Sequence, residues 1–94
     1  MNPRENASEH TGADRELEFV RQTVARVLHL DARELDGETA FDSDLGADSI
    51  DLCQVVTEAE QHFGIRITEE EAGDVTSLDG LAGLIRKKQL ENRE

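Results

Sequence analysis

Residues 44–51 read Asp-Leu-Gly-Ala-Asp-Ser-Ile-Asp, and this stretch predicts where the central helix of the chain begins. Asp48 is a good N-cap, because an aspartate oxygen can accept hydrogen bonds from the first N–H groups of a helix. Asp51 then falls at the third helical position, where a negative charge suits the helix dipole. We therefore predict a helix over 49–63, which Gly64 ends as a left-handed C-cap.

Apolar spacing predicts two more long helices and one short one. The first long helix runs over about 12–29, and the last begins near Thr76 or Ser77. Residues 68–71 form a capping-box pattern that opens a short helix, which Gly73 ends. The side chains that recur at three- and four-residue steps form the expected core: Leu17, Val20, Val24, Val27 and Leu28; Leu52, Val55, Val56, Ala59 and Phe63; and Leu78, Leu81, Ala82 and Ile85.

The predicted fold class is all-α, a small helical bundle of three principal helices and one short helix. Residues 1–13 are polar and without periodicity, which indicates a disordered tail. A folded domain is expected over 14–90 and a flexible C-terminus over 91–94. The connection over 30–47 is long for a compact domain, and such loops are often functional. Three apolar residues of this loop are expected to plug it onto the core: Leu35, Phe41 and Leu45.

Composition narrows the possible functions of this 94-residue chain. A formal net charge of -12 repels nucleic acid and anionic membranes and favours partners with basic patches. The chain contains no Trp or Tyr, which argues against a base-stacking surface. The lone Cys53 excludes an internal disulfide and suits a reducing compartment. Since no apolar run reaches a membrane-spanning length, we expect a soluble, cytoplasmic monomer.

Ser49 is the candidate functional residue. At the first position of a helix its hydroxyl is expected to be exposed, and free N–H groups and the helix dipole there favour an anion such as a phosphodiester. The alternative is an ordinary helix-start serine. No Lys or Arg occurs from Glu34 to Gln61, a stretch that carries nine acids: Glu34, Asp36, Glu38, Asp42, Asp44, Asp48, Asp51, Glu58 and Glu60. Such a stretch suggests a docking surface for basic partners, although a solvated acidic face is the alternative.

A second stripe lies off the core side of the same helix. Ile50, Cys53 and Thr57 recur at helical spacing beside Ser49, and the first two are expected to be partly exposed. An exposed apolar stripe of this kind suits a helix that is offered to the groove of a partner. The alternative is that these side chains pack beneath the long loop.

The motif at residues 44–51 resembles the attachment motif of acyl carrier proteins. The resemblance covers roughly residues 14–89 and includes Phe41 before the motif and the acidic short helix after it. It also includes Glu60, Phe63 and the run Gly-Ile-Arg-Ile at 64–67. The fold it implies is the helical bundle predicted above.

The resemblance implies that Ser49 carries 4′-phosphopantetheine, which a Mg²⁺-dependent phosphopantetheinyl transferase moves from coenzyme A. Acyl groups would then ride on the terminal thiol as thioesters, and the chain itself would not be an enzyme. Asp48 would help to present the serine and the metal to the transferase. The implied docking face for acyltransferases, ketosynthases or other acyl-processing enzymes includes four acids: Asp44, Asp51, Glu58 and Glu60.

Four residues depart from the pattern of housekeeping fatty-acid carriers. Gln54 stands where those carriers usually have an acid, and Thr57 stands where they usually have a larger apolar residue. Cys53 replaces a more typical Val, and Thr68 stands at a position where Pro is frequent. Because these changes lie on or near the docking helix, we predict partners of a polyketide or other specialised pathway. A housekeeping fatty-acid carrier and a peptidyl or aminoacyl carrier are the alternatives. Peptidyl carriers, however, usually have Gly-Gly before the serine motif and are less acidic.

Three readings from other functional classes are weaker. A serine hydrolase would need glycines two positions before and after Ser49, where Ala47 and Asp51 stand. A calcium loop that starts at Asp42 lacks the required glycine and ends at Cys53 instead of Glu. An acidic interaction module in which Ser49 is never modified remains open.

Overall fold

The computed structural model describes the backbone of residues 12–92 and the side chains of residues 15–91. It confirms the predicted all-α bundle. The helices are α1 (Gly12–Leu28), α2 (Ser49–Phe63), α3 (Glu69–Gly73) and α4 (Leu78–Asn92). A 3-10 turn, Ala32–Glu34, lies in the loop after α1. Within 12–92 no helix has both the length and the apolar character that a bilayer crossing needs.

The helix ends lie close to the predicted ones. α2 has the predicted bounds, and Gly64 caps it in the left-handed region with φ 68°. α1 ends one residue early, because His29 takes a positive φ of 61° that breaks the helical path. α1 begins and α4 ends slightly beyond the predicted domain over 14–90. The remainder of the predicted tails, residues 1–11 and 93–94, lies outside the described residues.

The core forms where α1 packs against α4 and α2. The predicted stripes face inward as a result of their helical spacing. Nine of their side chains are buried: Val20, Val24, Val55, Val56, Ala59, Leu78, Leu81, Ala82 and Ile85. The other five pack at the edge of this core: Leu17, Val27, Leu28, Leu52 and Phe63. Two of the three loop plugs, Leu35 and Phe41, are also buried.

The long loop is ordered by backbone hydrogen bonds to the start of α4. Ala40 and Ser77 form an isolated antiparallel bridge. The N–H of Phe41 donates to the carbonyl of Thr76 (3.0 Å), and the N–H of Leu78 donates to the carbonyl of Thr39 (3.1 Å). The middle of the loop is therefore fixed to the C-terminal part of the bundle.

The loop then closes into a tight turn that leads into α2. Asp44 Oδ2 accepts a hydrogen bond from the N–H of Ala40 at 2.8 Å. The N–H of Ala47 donates to the carbonyl of Phe41 at 2.9 Å. The turn is thus closed by bonds on either side of the buried Phe41, and it ends two residues before Ser49.

Candidate functional site

Ser49 is the first residue of α2, and its side chain is exposed. The helix start is a complete capping box. Asp48 Oδ1 accepts hydrogen bonds from the N–H groups of Ile50 (3.0 Å) and Asp51 (2.9 Å). Asp51 Oδ2 accepts in return a longer hydrogen bond, 3.4 Å, from the N–H of Asp48. The local sequence therefore fixes the backbone around the serine and leaves its hydroxyl facing solvent.

The helix start differs from the sequence expectation in one respect. Free N–H groups were expected beside Ser49, but those of Ile50 and Asp51 are both bonded to the Asp48 carboxylate. These two donors are not available to a bound anion, because the cap already satisfies them. The helix start therefore serves to hold Ser49 outward and does not form an anion-binding nest.

An open groove of about 860 Å³ runs between α2 and α3, and Ser49 lies on its rim. The predicted docking residues are eight: the four acids, the stripe of Ile50, Cys53 and Thr57, and Gln54. Six of them line the α2 side of the groove, namely Ile50, Cys53, Gln54, Thr57, Glu58 and Glu60. The facing wall comes from α3 and its approach: Ile67, Thr68, Glu69, Ala72 and Gly73. The structure thus brings Ser49 and most of the predicted docking residues to one surface.

The second stripe on α2 is open to solvent. Ile50 is 75% exposed, which is unusual for so large an apolar side chain. Cys53 and Thr57 are also exposed, and Cys53 is a free thiol. The alternative in which this stripe packs beneath the long loop is therefore excluded.

The four acids of the predicted docking face all have internal partners. Asp44 and Asp51 hold the turn and the helix cap described above, and neither lines the groove. Glu60 Oε2 accepts a hydrogen bond from the N–H of Ile67 at 2.7 Å, which ties the end of α2 to the approach to α3. These three carboxylates therefore stabilise the fold as well as contributing negative charge.

Glu58, the fourth acid, is paired with Arg26 of α1. Arg26 Nη1 lies 3.2 Å from Glu58 Oε2, and Arg26 Nη2 makes a second, shorter contact to Oε1. The hydrogen bond from Arg26 holds the pKa of Glu58 below its ordinary value, so the carboxylate is ionised at neutral pH. The stretch from Glu34 to Gln61 has no cation of its own, but the fold supplies one to it.

Sequence reasoning missed two parts of this site. The capping box at Thr68 predicted α3, but helical spacing in five residues does not reveal which face of a helix meets α2. Arg26 carried no signal either, because its partner is distant in sequence and only the packing of α1 on α2 brings them together.

The described residues form neither a catalytic base for Ser49 nor a metal site beside it. His62 stacks on Phe19 with ring centroids 4.4 Å apart, and it lies near the other end of α2. At 1.5 Å per residue it is about 20 Å along the helix from Ser49, too far to act as its base. His10 lies outside the described residues. Asp44 and Asp48 point to backbone N–H groups, and no metal-ligating cluster forms among the described residues.

Comparison with known proteins finds relatives that are similar in sequence and a solved structure that is similar in fold. Residues 18–85 match the family model "Phosphopantetheine attachment site". The acyl carrier protein of Solidesulfovibrio magneticus is 34% identical over 74 residues, which is 79% of this chain and 95% of that protein. The acyl carrier protein of Clostridium acetobutylicum is 36% identical over 70 residues, 74% of this chain and 91% of that protein.

A solved acyl carrier protein from Enterococcus faecalis has the same fold. Its TM-score is 0.69 at 23% identity, and the match covers 83% of this chain and 99% of that one. The family match spans more than half of the chain, and both relatives are covered almost completely. This chain therefore belongs to the acyl carrier proteins, which are carriers of a covalently attached 4′-phosphopantetheine and not enzymes.

Proposed function

We propose that Ser49 is the attachment residue, and that the chain presents acyl thioesters to the enzymes of a polyketide or other specialised pathway. The observation that carries the assignment is the exposed serine at the capped start of α2, on the rim of the α2–α3 groove. When bound, the arm supplies a terminal thiol for the acyl group. The chain supplies the position, the solvent access and the charged surroundings.

The residues around Ser49 fit a covalent phosphodiester. The hydroxyl faces solvent, so a transferase can reach it without disturbing the core. The positive end of the α2 dipole also lies there, which favours a negative group at this point. Asp48 keeps the backbone of the first turn fixed, and we propose that it also helps to present the serine and the metal to the transferase.

The test is the intact mass of the protein after incubation with coenzyme A, Mg²⁺ and a broad-specificity phosphopantetheinyl transferase. We expect a gain of one phosphopantetheinyl group in the wild type and none in Ser49→Ala. Ser43→Ala is the matched control, because Ser43 is an exposed serine in the preceding loop and its variant should still be loaded. Loading of Ser49→Ala, or no loading of a folded wild type by a transferase that is active on another carrier, would overturn the assignment.

The proposed pathway rests on the exposed face of α2. Cys53, Gln54 and Thr57 all line the groove, and all three differ from what housekeeping fatty-acid carriers usually have there. A side chain at such a face touches partners and not the core, so these differences bear on which enzymes bind. We propose that the partners have basic docking patches and can bind an α2 face that carries Gln54 and Thr57 in place of an acid and a larger apolar residue.

The pathway proposal has its own test. A housekeeping fatty-acid acyltransferase should use the loaded protein poorly, and Gln54→Glu should improve its kcat/KM. Gln61→Glu is a matched control, since Gln61 is another exposed glutamine of α2 but does not line the groove. Efficient use of the wild type, or a gene that lies among ordinary fatty-acid synthesis genes, would favour the housekeeping alternative.

We also propose a cytoplasmic location, since the single cysteine is free.

A further inference from the structure

Arg26 of α1 places a positive charge on the α2 face, where an acidic docking surface is expected. The docking residues of an acidic carrier attract cations, yet Glu58 already holds a guanidinium from its own chain. The contact is bidentate, with each carboxylate oxygen accepting from a different nitrogen, the geometry in which Arg binds a carboxylate best. Arg26 therefore occupies the site that an arginine of a partner would seek.

Glu58 lies where a partner bound at Ser49 would reach it. It is nine residues after Ser49 on α2, about 14 Å along the helix axis, and both residues line the α2–α3 groove. A protein interface of ordinary size covers about 800 Å² on each partner, an area roughly 30 Å across. An interface of this size centred on Ser49 therefore reaches Glu58 as well.

The Arg26–Glu58 pair is open enough to be displaced. The side chain of Arg26 is 61% exposed and that of Glu58 is 27% exposed. The structure gives the guanidinium no hydrogen-bond acceptor other than Glu58 among the described residues. Because an exposed pair is held weakly, a well-placed cation on a partner can exchange with Arg26 without unfolding the bundle.

We propose that Arg26 is an internal competitor for Glu58, which weakens the binding of basic protein surfaces to α2 and selects those that can replace it. The proposal rests on the proposed function, because it concerns the enzymes that approach Ser49. A partner that presents an arginine or lysine over Glu58 regains the lost contact. A partner whose cations lie elsewhere meets a locally neutral surface at that point.

The first test does not depend on modification of Ser49. The probe is a hexa-arginine peptide, titrated into isotope-labelled protein while the amide signals of α2 are followed by NMR. We expect Arg26→Gln to lower Kd at α2 by about two- to fivefold, the range that an exposed ion pair provides. In a Glu58→Gln background Arg26→Gln should tighten binding no more than the loss of one positive charge elsewhere does, because the competition for Glu58 no longer exists.

Arg33→Gln is the matched control. It removes the same charge and breaks an Arg–Asp pair that is even more exposed, Arg33–Asp31 in the 3-10 turn, with side chains 87% and 44% exposed. If Arg26→Gln and Arg33→Gln tighten binding equally, net charge alone explains the result and the proposal is wrong. It is also wrong if Arg26→Gln tightens binding as much in the Glu58→Gln background as in the wild type.

The second test uses the loading transferase. We expect Arg26→Gln to lower KM for the carrier by about two- to fivefold and to leave kcat unchanged, since Arg26 does not touch the serine. An unchanged KM would overturn the proposal for this partner. If the wild type is not loaded at all, the assignment of Ser49 fails, and the peptide titration still decides the role of Arg26.

Discussion

Lys88 of α4 places its Nζ 2.7 Å from Oε2 of Glu71 in α3. The other oxygen of Glu71 accepts a hydrogen bond from the N–H of Thr68 at 2.9 Å, which completes the cap of α3. α3 has no fully buried residue of its own. This carboxylate therefore joins the short wall of the α2–α3 groove to the bundle.

The Glu71–Lys88 pair predicts a loss of stability in acid. Hydrogen bonds from Lys88 and Thr68 lower the pKa of Glu71 from 4.5 to about 2. Because the pKa of Glu71 is lower in the folded protein than in the unfolded chain, its ionised carboxylate stabilises the folded state above about pH 4.5. That stabilisation disappears as the pH falls from about 4.5 towards 2. Glu71→Gln keeps an acceptor for Thr68 but loses the charge, so its Tm should lie below that of the wild type at neutral pH. The difference should shrink in acid, and a constant difference in thermal melts across this range would contradict the assignment.

Gly64 and Gly83 form a matched pair for testing backbone strain. Gly64 ends α2 with φ 68°, where a Cβ is unfavourable, so Gly64→Ala should destabilise the fold by about 1–2 kcal/mol. Gly83 lies inside α4 with no heavy atom within 4 Å of an added Cβ. Gly83→Ala should therefore stabilise by up to about 1 kcal/mol. Urea denaturation measures both, and equal effects of the two variants would contradict the prediction.

Variants of Asp48 separate its two roles. Asp48→Ala removes the acceptor for the N–H groups of Ile50 and Asp51 and should destabilise the protein by about 1 kcal/mol. Asp48→Asn keeps the cap and should leave stability nearly unchanged, but it removes the negative charge beside Ser49. We expect this variant to be loaded more slowly by the transferase. Loading at the wild-type rate would mean that Asp48 acts only as a cap.

Salt should raise the melting temperature. The net charge of -12 makes the folded chain repel itself, and added ions screen that repulsion. We expect Tm to increase with NaCl, and with divalent cations at lower concentration. A Tm that stays flat or falls with salt would contradict this account and would indicate that ion pairs such as Glu71–Lys88 outweigh the repulsion.

Local sequence patterns were sufficient for the parts of the fold that depend on neighbouring residues. The cap at Asp48, the third-position Asp51 and the left-handed Gly64 each act within a few residues, and each appears where it was predicted. Ile50 and Cys53 are exposed as expected, because helical spacing alone puts them off the core stripe.

Contacts between distant residues could not be read in the same way. The chain gives no periodic signal for the Arg26–Glu58 pair or for the bond from Ile67 to Glu60. Both depend on how the helices pack, and so does the α3 wall of the groove. In the sequence, an acid in a stretch without Lys or Arg has no visible cationic partner. The fold can still bring it a cation from another helix, as Arg26 does for Glu58.

The bridge between Ala40 and Ser77 also bears on how the protein is made. The middle of the loop before Ser49 takes backbone partners from residues near the start of α4, and these leave the ribosome after the serine does. A nascent chain that has not yet produced α4 can form the local cap at Ser49, but it lacks the contacts that fix the loop before the serine. Attachment of the arm should accordingly follow synthesis of the last helix and so be restricted to chains that have completed the bundle.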